Sequence, residues 1–367
     1  MTEATMFGET DTARRYHETI DQMLLAEELG FDSVGASDQH FFAPSAMISA
    51  PDLLHAVVAR NTSHITIRTT TATLPLYHPL QVAERVATLD ILSNGRVEFG
   101  TGRGNSMLAF DAFEVPLTEA YERYVESLAI ITGAWCAEGE FSYKGKFYNI
   151  PPRVLCPKPV QKPHPPIFYA AISPESHVNA GRLGVGLMTG PTGVSYEKFA
   201  ERIRLYRDAA ANPQPVGPYE SNNRVVLGLR GFCGTTNEEA RKIAGPPFID
   251  WIRDADTMYQ AKLSKEQPDL ERVSEREGRY EYESLRSKSV IISGDPDHWI
   301  EMVRMWESLG VDEININHAG IPHADIVRSM KMLGNYVFPE FRRPAKSAQA
   351  NVAGQIPATS EFAASDV

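Results

Sequence analysis

Long apolar runs are missing from this chain. None of its 367 residues belongs to a stretch of the roughly 18 uninterrupted apolar residues that a bilayer-spanning helix needs, and the opening MTEATMFGETDTARR has no apolar core of a secretory signal. Cysteine is scarce. Cys136, Cys156 and Cys233 stand far apart with no CxxC pairing, which argues against a disulfide framework or a thiolate zinc site and fits a reducing compartment. A cytoplasmic protein is expected. Positive charge is also in deficit: at a formal net charge of −11 there are no clustered Lys and Arg to release counterions from phosphates, so neither nucleic acid nor a membrane is an expected partner. Several chemical signatures are absent as well. There is no GxGxxG after a first strand, no Walker pattern, no HExxH or metal-spaced histidines, and no GxSxG elbow. Dinucleotide binding on an open sheet, zinc hydrolysis and serine nucleophile catalysis lose their residues, and no metal site is expected.

What is present is an alternation of two apolar periods. In TIDQMLLAEELG (19–30), Ile20, Met23 and Leu24 recur at helical spacing and stop at Gly30, a left-handed cap; FDSVGAS then reads as a short buried strand. The pair repeats. Helices are expected near 51–60, from His78-Pro79, across 117–137, from Pro174, in YEKFAERIRLYRDAA, in GDPDHWIEMVRMWESLG and in HADIVRSMKMLGNYVFPEF; strands are expected in HITIRTTT, RVEFGTG, PPIFYAA, VGLM, RVVLGLRGF and VDEININ. This order implies a parallel sheet flanked by helices, and without the phosphate signatures of doubly wound folds a closed TIM-like (β/α)8 barrel is favoured.

Seven strands follow the first helix, one short of eight. Either ATMF (4–7) is a stunted first strand, or the first strand is truncated or missing because the start codon has been placed too late. The barrel is expected to span 1–345. Residues 235–288 are charge-rich and read as a helical insertion before the last βα units, a lid over one mouth or equally a solvated crossover helix; 346–367 has few large apolar residues and reads as a disordered tail.

In such barrels chemistry sits at the C-terminal ends of strands. Four strand ends stand out. In GASDQHFF (35–42), alternation sends Asp38 and His40 to one side and Ser37 and Gln39 to the other; His40 offers acid or base chemistry, or is simply a hydrogen-bonded strand cap. In GTGRGNS (100–106), glycines allow close backbone approach and Arg103 offers a bidentate partner for phosphate, a pattern that a solvated turn also satisfies. In AISPES (171–176), Ser173 suits the N-cap, Pro174 the N1 and Ser176 the N3 position of a helix whose free N–H groups attract anions. Arg103 lies on the preceding strand of the repeat, so both could address one phosphate. TTTATLPLYHP (69–79) suggests backbone of unusual shape beside a flat ligand, with His78 a helix-start residue.

These segments, taken in order with LPLYHPLQVAERVATLDILSNGRVEFGTGRG, FSYKGKFYNIPP, PKPVQKPHPPIFYAAISPES and GDPDHW…ESLGVDEININHAGIPH, resemble the bacterial luciferase-like flavin-dependent monooxygenases over about residues 14–342. The resemblance implies a TIM-like barrel that binds reduced FMN at the strand C-termini, activates O2 as a C4a-peroxyflavin and oxygenates a small organic substrate. It further implies a homodimer supplied by a separate flavin reductase. Position by position, Arg103, Ser173 and Ser176 resemble the family's phosphate ligands. Thr70 and Thr71 match its non-proline cis peptide beside the flavin ring, and Asn105 a backbone contact near that ring. The opening stretch departs from the pattern. Many relatives read Glu-His-His with the first His catalytic, whereas this chain reads Asp38-Gln39-His40; Gln39 cannot shuttle protons, and His40 is expected to take the polar role, with Asp38 and Gln39 beside it. Two alternatives stay open: a deazaflavin-dependent oxidoreductase on the same fold, or a flavin-binding protein without catalysis.

Overall fold

Several helices in this chain begin behind a side-chain cap. A computed structural model describes residues 11–42, 46–191, 194–266, 280–287, 290–318 and 320–342, with 255–266 described by backbone alone. Helix α1 (Thr12–Glu28) starts after Asp11, whose carboxylate accepts from Arg14 N at 2.9 Å, and its exit passes through Gly30 at φ 79°. After β1 (Ser33–Val34), α2 (Pro51–Asn61) opens with proline in its first turn. Strands β2 (Thr66–Arg68) and β3 (Ala72–Thr73) then lead to α3 (Pro79–Leu92), capped by the His78 ring, which accepts from Leu80 N at 3.3 Å.

Strand β4 (Val97–Gly102) is followed by the short α4 (Met107–Ala112) and by α5 (Ala120–Cys136). An antiparallel hairpin, β5 (Phe141–Lys144) and β6 (Asn149–Arg153), lies outside the main sheet, its turn held by Glu126 of α5, which accepts from the backbone N–H groups of Lys146, Phe147 and Tyr148. The repeat resumes with β7 (Ile167–Ala170), α6 (Pro174–Leu183), β8 (Gly186–Thr189), α7 (Tyr196–Ala210) and β9 (Val225–Cys233). Helices α8 (Asn237–Glu266) and α9 (Tyr282–Ser287) occupy the described part of the expected insertion, and α8 packs on β9 with Ala240, Ala244 and Phe248 buried. Strand β10 (Ile291–Gly294), α10 (Pro296–Ser308), β11 (Glu313–Asn317) and α11 (His323–Met332) complete the described chain. No helix among the described residues is long and apolar enough to cross a membrane.

Nine strands form one curled sheet, and every pairing within it is parallel. The path runs β1–β2–β4–β7–β8–β9. Strand β9 pairs with both β11 (Glu313↔Val226 to Asn317↔Arg230) and β10 (Ile291↔Arg230 to Gly294↔Cys233). All seven strands expected from the sequence are present. Strands β1 and β11 come back towards each other: the Ser33 hydroxyl donates to Glu313 Oε1 at 2.6 Å, and a cleft of about 60 Å³ lies between Ser33, Val34 and Gly35 on one side and Ile314, Asn315 and Ile316 on the other. Among the described residues no strand pairs with β1 and β11 across it. The ATMF segment expected there, and the tail from 346 onward, lie outside the described residues.

Successive side chains of each strand face opposite sides. Outward, Phe99 and Tyr169 pack on Trp135 and Tyr124 of α5, with ring centroids 5.4 and 4.8 Å apart. Inward, Phe168, Met188 and Val226 form a small cluster separate from the main core. Beneath it lies a charge cluster. The buried Arg68 guanidinium donates to Glu98 and, at 2.7 Å, to both carboxylate oxygens of Glu313; Arg224 bridges the same two carboxylates from outside. Arg68 and Arg224 both lie over the Phe168 ring, 5.0 and 5.3 Å from its centroid. One end of the curl is thus filled by paired charge.

Taking one partner from such a cluster leaves buried charge uncompensated. Arg68→Ala is expected to lower the free energy of unfolding by about 3–5 kcal/mol in denaturant titrations at neutral pH. Burial pushes the Glu313 carboxyl up, but the hydrogen bond and charge of Arg68, the Ser33 hydroxyl and the Arg224 charge outweigh it and hold its pKa below the ordinary value. A depressed folded-state pKa contributes stability that is present above the unfolded value and is lost as pH falls through the folded one. The stability advantage of wild type over Glu313→Gln is therefore expected in full at pH near 7 and should shrink below about pH 4.

Candidate functional site

Because the strands are parallel, their C-terminal ends open on one mouth. Moving toward it from the charge cluster, the inner positions become small: Gly35 on the β1 side, Gly100 and Gly102 on β4, and Gly228 on β9. A Cβ on Gly100 would overlap the Thr69 carbonyl oxygen, and one on Gly35 the Arg68 carbonyl oxygen, so the 68–70 backbone lies pressed between two glycines. The Thr70–Thr71 peptide within this segment is cis, as the family resemblance implies. At Gly228, by contrast, an added Cβ would meet only Thr189 O, at 3.6 Å. The Thr70 and Ser37 hydroxyls are buried with no hydrogen-bond partner among the described residues. Open space over glycine and two unpaired hydroxyls suit a flat ring with polar edges, as in a flavin.

Two anion-binding features stand at the rim. Thr101 of β4 pairs with Tyr169 of β7, so the loops that carry Arg103 and Ser173 leave adjacent parallel strand ends at the same mouth. Arg103 is exposed. Burial pushes the Tyr169 hydroxyl up to about 12, the Arg103 charge pulls it down and the Glu175 charge pushes it up, so Arg103 and the first turn of α6 both act on one phenol. Ser173 caps α6: its Oγ accepts from Ser176 N at 3.2 Å and donates to Ser176 Oγ at 3.1 Å. The Ser176 hydroxyl accepts from Ile172 N at 3.0 Å and donates to Ser173 O at 2.7 Å. Beneath the cap, His177 Nδ1 donates to Ser173 O at 2.8 Å, and Nε2 accepts from the Thr189 hydroxyl at 3.0 Å. Burial lowers the His177 pKa to about 4, so the ring is neutral and ties the start of α6 to the end of β8. A guanidinium beside a helix start is an arrangement suited to a phosphate. Asn105 is exposed just ahead of Ser106, the N-cap of α4.

The stretch after β1 forms a third group. Past the end of β1 at Val34, where strand alternation no longer applies, the side chains of Asp38 and His40 still meet, with His40 Nε2 3.1 Å from Asp38 Oδ1. Tyr77, from the loop before α3, joins them: its hydroxyl donates to Asp38 Oδ1 at 3.0 Å and lies 3.0 Å from His40 Nε2. Asp38 Oδ2 accepts from Thr73 N at 3.2 Å. The His40 ring meets Phe113 edge-on at 4.9 Å, and Phe41 and Phe113 are exposed at the rim. Gln39 is half-buried, and its backbone N–H donates to Ile48 O at 2.9 Å.

Asp38 and His40 are thus brought together, as are Ser173 and Ser176, while Arg103 and Asn105 stand on the loop after β4. Sequence reasoning singled out His78 in LPLYHP, which proves to be a helix cap, and passed over its neighbour Tyr77. It also passed over His177. A tyrosine directly before a His-Pro helix start was the available signal for the first; nothing local marks the second.

Comparison with known proteins bears on this geometry. The chain is 25% identical over 340 residues to the flavin-dependent trigonelline monooxygenase, oxygenase component, of Acinetobacter baylyi, covering 89% of this chain and 90% of that one. It is 26% identical over 373 residues to an F420-dependent glucose-6-phosphate dehydrogenase of Microbacterium testaceum, covering 94% and 99%. Among solved structures, the oxygenating constituent of 3,6-diketocamphane monooxygenase from the CAM plasmid of Pseudomonas putida, a type II Baeyer-Villiger monooxygenase in complex with FMN, superposes with a TM-score of 0.74 at 19% identity, over 94% of this chain and 99% of that one, which establishes a shared fold. The luciferase-like monooxygenase family model matches residues 1–313. With its curled parallel sheet and its groups gathered at the strand C-termini, the chain belongs to the luciferase-like monooxygenase family.

Proposed function

We propose that this chain is the oxygenase of a two-component monooxygenase, taking reduced FMN from a separate flavin reductase and using O2 to oxygenate a small organic substrate. The observation that supports the reading is that Arg103 and the serine-capped start of α6 follow adjacent parallel strands at one mouth, beside the open space over Gly228. Arg103 would hold the phosphate bidentately, and the N–H groups and hydroxyls of Ser173 and Ser176 would complete its coordination. Thr70, Thr71 and Asn105 would border the ring. Reduced flavin supplies the electrons for oxygen activation. The chain binds and orients the reactants and shields them from water, with Phe41 and Phe113 as apolar rim and His40 exchanging protons where Gln39 cannot. A cytoplasmic homodimer belongs to the same reading.

A second reading is hydride transfer with a deazaflavin. It is favoured by the F420-dependent relative that aligns with 94% of this chain. Titrating the protein with FMN and with the deazaflavin, then mixing each reduced complex with O2 and a panel of organic substrates, separates the two. The monooxygenase reading expects tighter FMN binding and oxygen uptake coupled to a hydroxylated or ring-expanded product. Preference for the deazaflavin, with turnover unaffected by removing oxygen, would replace it.

Two variants probe the binding site directly. Arg103→Ala is expected to weaken FMN about tenfold to a hundredfold while riboflavin, which lacks the phosphate, binds as before; parallel changes in both ligands would count against a phosphate contact. Gly228→Leu extends a side chain into open space, so it should leave the unfolding midpoint nearly unchanged and abolish binding of both ligands, measured by quenching of flavin fluorescence.

A further inference from the structure

In the proposed reaction the mouth needs a group that exchanges protons, and Gln39 is not one. His40 is the imidazole at hand, and its usefulness depends on which ring nitrogen carries the hydrogen. Three polar atoms meet beside it: Nε2 of His40, the Tyr77 hydroxyl and Asp38 Oδ1, separated pairwise by 3.0, 3.0 and 3.1 Å. An ionised carboxylate oxygen only accepts. Burial first, then the charge and hydrogen bond of Asp38 and the charge of Asp52, hold the Tyr77 phenol far above its ordinary pKa against the opposing charge of Arg85, so it keeps its hydrogen and gives it to Asp38. Only a hydrogen on Nε2 then satisfies all three contacts. Without it, two lone pairs would face each other across 3.1 Å.

We propose, on the basis of the monooxygenase reading, that Tyr77 is a positioning residue for His40: with Asp38 it keeps the hydrogen on Nε2 and leaves Nδ1 as the proton-accepting atom at the mouth. Tyr77 also restrains Asp38. Its hydroxyl donates to the same carboxylate oxygen that lies 3.1 Å from the imidazole Nε2. The charges acting on the Tyr77 phenol are Asp38 on the β1 side, Asp52 on α2 and Arg85 on α3, and the rings of Phe41 and Phe113 flank His40. An imidazole one position along from the expected catalytic histidine thus becomes a defined base through a tyrosine that sequence motifs do not mark.

The test uses protein labelled with ¹⁵N in its histidine rings, without any flavin, and assigns the His40 signals by their loss in His40→Asn. Wild type is expected to show the Nε2–H tautomer in its neutral form. In Tyr77→Phe, which loses the oxygen that accepts from Nε2, a measurable share of the Nδ1–H tautomer should appear and kcat should fall with KM little changed. An Nδ1–H tautomer in wild type, or a Tyr77→Phe protein whose ring signals and kcat match wild type, would overturn the proposal. Because the spectra need no cofactor, a failed FMN titration beside the expected tautomer would sink the monooxygenase reading and leave the hydrogen assignment standing.

Discussion

The buried contact between Arg68 and the carboxylates of Glu98 and Glu313 is the constraint on which the rest of this structure is arranged. The inner face of a curled parallel sheet has to be filled, and here the filling is split between two ends. At one, a guanidinium with two carboxylate partners and an aromatic ring beneath it occupies the space that branched aliphatic side chains commonly take in such barrels. At the other, glycines let the backbone of one strand end press on the next, and open space lies over Gly228. Arg68 also links β2 to β4 and β11, which lie on opposite sides of the β1 cleft, and so ties the sheet together where no described strand bridges it.

At the mouth the same economy recurs with hydrogen bonds. His177 and His40 each have partners that bear on where the hydrogen sits. His177, neutral through burial, has both nitrogens committed and serves to join the start of α6 to β8. At His40 the Asp38–Tyr77 pair engages Nε2. One ring is used as structure, and the other is the one proposed for chemistry. The difference comes from surroundings rather than residue type.

Helix starts were the most legible part of the sequence, because Ser173-Pro174, His78-Pro79 and Asp295-Pro296 write cap and first turn side by side. The strands of the repeat were legible as well, since buried parallel strands read as short apolar runs. The β5–β6 hairpin was not: Pro151 and Pro152 stand inside β6, and proline argues against a strand unless it lies on an edge, as this one does. Helix α4, at six residues, is too short to show a period, and β10 is four residues in a charged neighbourhood. Arg68 and Glu313 lie 245 positions apart, so the cluster that fills one end of the curl leaves no local trace. Tyr77 escaped for a related reason: its role comes from Asp38 and His40, 39 and 37 positions away. The strand ends that carry Arg103 and Ser173 could be ordered from the sequence, but their adjacency required the β4–β7 register.

The central claim is that Arg103 and the start of α6 hold one phosphate. A crystal structure of the protein with FMN addresses it most directly. The account predicts the phosphate within hydrogen-bond distance of the Arg103 guanidinium and of Ser173 or Ser176, with the ring lying over Gly228 inside the curl. A phosphate bound elsewhere, with Arg103 turned to solvent, would contradict it.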